Sequence, residues 1–104
     1  MKVAITSTGN SIESMLDERF GRCSYFVIYN TESKSTEIVP NPNKDAENGA
    51  GPASLQLVAS HNAEKIVSGE FGTKIKSLAD SLKIQLVVVK EPKKVKDIIE
   101  MLNK

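Results

Sequence analysis

The sequence predicts an α/β domain built on a mixed five-stranded sheet. Three observations carry that reading. Short apolar runs rich in β-branched and aromatic residues recur at 3–5, 25–29, 36–39, 64–68 and 84–89. From residue 52 onward they alternate with segments of helical apolar spacing, the pattern of parallel strands joined by right-handed crossovers. Between the second and third runs lies only a polar turn, Asn30-Thr31-Glu32-Ser33-Lys34, so these two form a hairpin and one strand runs against the rest.

Taken in order, Val3-Ala4-Ile5 is solidly apolar and is closed by Ser7-Thr8-Gly9-Asn10. It suits a central strand covered on both faces. Residues 11–23 form a long loop in which Ile12, Met15 and Leu16 keep helical spacing. These three are either one short turn or plugs for the core edge. Tyr25 to Tyr29 is the second strand. Thr36 to Val39 is the third, and its terminal Pro40 suits a sheet edge.

The stretch Pro40 to Pro52, "PNPNKDAENGAGP", is too rich in proline, asparagine and glycine to be the interior of an element. Pro52 fits the first turn of a helix, with Leu55, Val58 and Ala59 on its apolar face. Glu64–Ser68 is the fourth strand. Thr73 is the expected N-cap of a second helix striped by Ile75, Leu78, Ala79 and Leu82. Ile84–Val89 is the fifth strand, and Pro92 opens a last helix carrying Val95, Ile98, Ile99 and Leu102. The order β-β-β-α-β-α-β-α implies a three-layer domain over residues 1–104 with sheet order 3-2-1-4-5 and strand two antiparallel.

The bulk properties limit the function classes. A chain of 104 residues is one domain, large enough for a core without disulfides. A net charge of +1 offers no electrostatic case for nucleic acid or an anionic membrane. No run approaches the roughly 18 to 20 apolar residues of a membrane span, and the apolar run after Met1-Lys2 is too short for a signal peptide. One cysteine excludes an internal disulfide and fits a reducing compartment, so the expected location is cytoplasmic.

Strand direction then assembles a candidate site. In open α/β sheets, ligands bind beyond the carboxyl ends of the strands where the winding reverses, here between strands one and four. The loops reaching that edge carry Thr8 and Gly9; Arg19, Phe20, Gly21, Arg22 and Cys23; Asn48, Gly49 and Gly51; and Gly69 and Gly72. Cys23 is expected at the mouth of the crevice, where Arg22 would favour the metal-binding thiolate; inert filler is the other reading of a lone cysteine. The glycines either turn the chain or offer N–H groups to an anion. Neither G-x-G-x-x-G nor a Walker-type motif occurs. His61 lies roughly ten residues, at about 1.5 Å each, down the first helix, and is expected to cap its far end. Two-metal nuclease chemistry needs clustered carboxylates, yet the central strand Lys2–Ser7 has no acid, and Asp17, Glu18, Glu47 and Glu70 are all in loops. No enzyme is expected.

Four motifs in order, a first strand ending in Ser/Thr-Gly, "RFGRCSYFVIY", "NGAGP" and "SGEFGTKIKSLADSLKI", resemble the dinitrogenase iron–molybdenum cofactor biosynthesis family from Lys2 to about Glu91. The resemblance implies a ribonuclease H-like fold and a carrier of an iron–sulfur or iron–molybdenum cluster. It maps the family's conserved element onto Phe20, Gly21 and Arg22, and its glycine loop onto Asn48, Gly49 and Gly51. One cysteine cannot supply the four thiolates usual for an iron–sulfur cluster. The cluster would then be preassembled and held by N–H groups with Arg19 or Arg22, or shared between two chains. The expected partners are metallocofactor assembly or recipient proteins, and the expected state is a monomer or weak homodimer. A regulatory or interaction domain without a cluster, binding a small anion or only a partner protein, is the alternative.

Overall fold

The computed structural model of the protein describes residues 1–103. Its elements run β1 (Lys2–Ser7), β2 (Tyr25–Asn30), β3 (Thr36–Pro40), α1 (Ala50–Ser60), β4 (Ala63–Ser68), α2 (Ile75–Ser81), β5 (Gln85–Val88) and α3 (Val95–Leu102). The sheet order is β3-β2-β1-β4-β5. β2 pairs antiparallel with both β1 and β3, while β1–β4 and β4–β5 are parallel. This is the expected order, with the expected strand reversed.

The central position of β1 follows from its sequence. Alternate side chains leave a strand on opposite faces, and both faces of β1 are covered. Val3 and Ile5 join Val27, Tyr29 and Val67 under Val95 and Ile98 of α3. Ala4 joins Phe26, Ile28 and Ile66 under Leu55 and Val58 of α1 and Ile75 and Ala79 of α2. A strand with a polar face could not occupy this place. No helix among the described residues is long and apolar enough to cross a membrane.

Tertiary pairing moves several boundaries. Met15 pairs antiparallel with Lys94 and Leu16 with Ser7, and the Leu16 N–H donates to the Lys93 carbonyl at 2.8 Å. Residues 15 and 16 are therefore extended. Leu16 is buried in the core, but Ile12 and Met15 are 37% and 39% exposed; the short turn in this loop lies just before Met15, at residues 11–14, closed by the Ser14 N–H on the Ser11 carbonyl at 3.0 Å. The same pairing holds residues 93 and 94 straight, so the last helix starts at Val95 rather than at Pro92, with the Lys94 N–H donating to Asp97 Oδ2 at 3.0 Å. Thr73 is not the N-cap of α2. A tight turn, closed by the Ile75 N–H on the Gly72 carbonyl at 3.0 Å, takes up Thr73 and leaves Lys74 at the cap.

His61 is the C-cap residue of α1, just before β4, at the amino edge of the sheet and away from the candidate site. Its Nδ1 lies 3.5 Å from Glu37 Oε1. His61→Ala should cost at most about 1 kcal/mol, the scale of a helix-end interaction. Ile66→Ala should cost about 2–5 kcal/mol, because Ile66 is fully buried between the sheet and two helices. Urea denaturation of both variants checks the pair, and equal losses would contradict this placement of the core.

Candidate functional site

The site is built around Asp17. Thr6, next to last in β1, has a buried hydroxyl that donates to the Asp17 carbonyl at 2.7 Å. Ser68, at the end of β4, directs its hydroxyl to the same oxygen at 3.3 Å, and the Gly69 N–H reaches it at 3.3 Å. The loop is thus pinned over the switch point between β1 and β4. Asp17 Oδ1 accepts the Arg19 main-chain N–H at 2.9 Å and lies 3.7 Å from Arg19 Nε. Arg19 then bridges to Glu70 in parallel fashion, so residues 17–22 run as a ridge across the carboxyl edge.

A cleft opens on each side of this ridge, and Arg19 and Glu70 line both. The α3-side cleft, about 600 Å³, is bounded by Thr8, Met15, Asp17–Arg19, Gly69 and Val89–Pro92. The α1/α2-side cleft, about 580 Å³, lies among Arg19–Arg22, Gly49–Pro52 and Phe71–Ile75. Phe20 anchors its floor, with its ring 5.7 Å from Phe26 and 5.4 Å from Phe71.

The second cleft faces the N-terminus of α1. The first N–H groups of a helix have no intrahelical acceptor and carry the positive end of its dipole. Here Gly49 caps with φ of 72°, no side chain caps the helix, and its first turn holds no acid. Positive φ is the reason for glycine at 49. Gly21 and Gly51 answer a different need, since a Cβ on Gly21 would stand 2.9 Å from Gly51 Cα and one on Gly51 would stand 2.9 Å from Ile75 Cδ1. The loop before β2 therefore rides directly on the helix N-terminus.

The expected residues divide accordingly. Arg19, Phe20, Gly21, Arg22, Gly49, Gly51 and Gly72 come together in the α1/α2-side cleft. Thr8 and Gly69 line the other, and a Cβ on Gly69 would stand 2.5 Å from Glu18 Cα. Gly9 and Asn48 line neither cleft. Gly9 instead closes the turn after β1, where its carbonyl accepts the Ser7 hydroxyl at 2.6 Å. Arg22 is largely committed: its Nη1 donates to the Ala46 carbonyl at 2.6 Å and to the Lys44 carbonyl at 3.2 Å.

Cys23 is not at the crevice mouth. It is 0% exposed and packs among Phe20, Phe26 and Leu55. Burial first, and the negative charge of Asp17 second, push its thiol up to about 12. The expected activation by Arg22 fails because that guanidinium is turned to the 44–46 loop. Among the described residues, no three of His, Cys, Asp and Glu converge to hold a metal ion.

Asn41 and Ser54 escaped the sequence reading. Asn41 Nδ2 donates to the Cys23 carbonyl at 2.9 Å and the Gly21 carbonyl at 3.2 Å. Ser54 Oγ also donates to the Gly21 carbonyl, at 3.1 Å. Both are buried and clamp the turn at 21–23 onto α1. The available signal was a lone asparagine between two prolines, Pro40-Asn41-Pro42.

The profile of the dinitrogenase iron-molybdenum cofactor family matches residues 1–104. An uncharacterised protein of Methanocaldococcus jannaschii is 32% identical over 89 residues, 83% of this chain and 72% of its own. The apo form of the orange protein from Desulfovibrio gigas superposes with a TM-score of 0.90 at 25% identity, covering 95% of this chain and 83% of that one. A Thermotoga protein solved by NMR gives 0.82 at 32% identity, covering 95% and 84%.

Two predictions follow from the buried thiol and the crowded glycines. A thiol pKa raised in the folded state contributes stability that is full below the unfolded pKa and is lost as pH rises through the folded one. The urea midpoint of the wild type should therefore fall between about pH 9 and about 12 more steeply than that of Cys23→Ala; parallel curves would place the thiol in water. Gly69→Ala should lower the melting temperature far more than Gly72→Ala, since a Cβ on Gly72 would meet nothing nearer than 3.9 Å. Thermal melts of the two variants check the order.

Proposed function

The chain belongs to the dinitrogenase iron-molybdenum cofactor family, and on that premise we propose that it is a non-catalytic carrier for a metal–sulfur cluster, of iron–sulfur or iron–molybdenum type, during metallocofactor assembly. The observation that carries this reading is the α1/α2-side cleft. It sets the uncapped N-terminus of α1 opposite Arg19 and Lys74 over a glycine-lined, phenylalanine-floored wall. Such a site suits an anion with a sulfide surface, held by N–H donors, helix dipole and cationic side chains.

The donor chemistry narrows the cargo. With Cys23 buried and protonated, the cleft supplies no thiolate, so it is unsuited to assembling a cluster from free iron. It fits a cluster that arrives preassembled and leaves intact. The orange protein has an apo form, which is in keeping with a cargo that comes and goes. Catalysis has little support in the residues: β1 carries no acid, and the Asp17 carboxylate is buried and taken by Arg19. We place the fold in the ribonuclease H-like class, the protein in a reducing cytoplasm, and its partners among the assembly and recipient proteins of the cofactor.

The test is anaerobic loading with a preassembled anionic cluster, read by metal content and absorbance after desalting. Arg19→Ala and Lys74→Ala should each weaken retention by about ten- to hundredfold, the order expected for one charge-assisted contact of about 1.5–3 kcal/mol. Cys23→Ser, read well below its melting temperature, should stay loaded. A Cys23→Ser protein that empties while Arg19→Ala stays full would refute the site. Failure of the cluster to bind where inorganic phosphate does would favour the small-anion reading.

A further inference from the structure

We propose that Asn48 is a site of self-modification: its side chain closes on the Gly49 amide nitrogen and is converted to aspartate or isoaspartate in the folded protein. The Gly49 nitrogen attacks Asn48 Cγ, and the side-chain nitrogen leaves as ammonia, taking the proton that Gly49 gives up. A five-membered succinimide ring results. Water opens it at Cγ to give aspartate, or at the Asn48 main-chain carbonyl to give isoaspartate, in which the main chain runs through Cγ and is one carbon longer. No cofactor, oxidant or second protein takes part. Asparagine is among the thermolabile residues, and the access of the following nitrogen decides where the ring can close.

Access is best at Asn48. Seven asparagines are present, and only this one precedes glycine. Asn48 and Gly49 are both exposed. Among the described residues the Gly49 N–H has no hydrogen-bond acceptor, so its nitrogen is free to react. Gly49 has no side chain to crowd that nitrogen, and even a Cβ placed there would meet nothing within 4 Å. The other asparagines each lack a condition. The Thr31 N–H after Asn30 donates to the Met1 carbonyl at 2.9 Å, and the Lys44 N–H after Asn43 donates to the Asn41 carbonyl at 3.5 Å. Pro42 after Asn41 has no N–H. Asn62 precedes Ala63, which is buried and begins β4. Asn10 and Asn103 are followed by residues with side chains, which hinder the closure.

The place of the change gives it an effect. Asn48 stands one residue before Gly49, the N-cap of α1, whose first turn holds no acid and which no side chain caps. The one new carboxylate takes the net charge from +1 to 0 and sets a negative group at the positive end of the helix dipole. That favours the helix but opposes a second anion in the α1/α2-side cleft. Isoaspartate also lengthens the main chain directly ahead of Gly49, Ala50 and Gly51, which line that cleft. The converted chain is a poorer holder of an anion, a consequence that rests on the cleft being the cargo site. The conversion itself does not.

The experiment ages the folded full-length protein at neutral pH. Trypsin then releases Asp45–Lys65, which contains both Asn48 and Asn62. Fragment masses should show an amide turned to an acid at Asn48, with Asn62 unchanged, and a protein isoaspartate methyltransferase should label the aged chain from S-adenosylmethionine. Asn48→Gln, whose longer side chain would need a six-membered ring, should age without change. Asn48→Asp, a stable copy of one product, should hold a preassembled anionic cluster about two- to fivefold less well than the wild type, the scale of one charge at a helix end, with a melting temperature no lower. An unchanged Asn48 in the folded sample, or equal conversion of Asn62, would overturn the proposal. Full retention by Asn48→Asp would overturn its effect on the cleft. A wild type that never loads would refute the carrier reading and with it that effect, while conversion read by mass would still establish the modification.

Discussion

The main-chain carbonyl of Asp17 is the point on which the carboxyl edge hangs. It is buried over the boundary between β1 and β4 and takes donors from Thr6, Ser68 and Gly69. Each such bond adds only about 0.5–1.5 kcal/mol net, but a buried carbonyl left without donors costs about 1–3 kcal/mol, so the loop has one favourable place to cross the sheet. That crossing sets where Arg19 through Arg22 lie and divides the space above the strands into two clefts. It also explains Gly69, since the chain at Glu18 passes too close for a side chain. Two hydroxyls at strand ends, which read as ordinary polar punctuation, determine the shape of everything above them.

The sheet was legible in the sequence because burial leaves a period that local residues report directly. Val3-Ala4-Ile5 is apolar at every position because α3 covers one face and α1 the other, and the polar turn at 30–34 admits only a hairpin. The misreadings have a common cause: local spacing cannot report a distant strand. Ile12, Met15 and Leu16 are spaced as on a helix, yet the chain from Lys93 to Lys94 pulls Met15 and Leu16 straight. That same contact delays α3 past Pro92. Cys23 differs from the expectation for another reason, since adjacency to Arg22 in sequence is not adjacency in space. In the turn that precedes β2 the two side chains diverge, Cys23 toward Phe26 and Arg22 toward the 44–46 loop.

The candidate site was legible as a location more than as a chemistry. The carboxyl-edge rule depends on strand direction alone, and it gathered most of the named glycines and arginines into one cleft. What each contributes required coordinates. Gly21 and Gly51 provide room for two backbones to touch, and only Gly49 is called for by its backbone angle. Asn41 and Ser54, which hold the turn in place, were invisible because a buried amide and a surface amide look alike in a loop of asparagines.

The burial of the single thiol also determines what the surface will ignore. In a cell, copper and zinc outcompete iron for any exposed thiolate or accessible imidazole pair. This surface offers neither: Cys23 is sealed in the core, and the one histidine stands alone beside Glu37. Two copies of the folded protein meeting under oxidising conditions therefore cannot crosslink through sulfur.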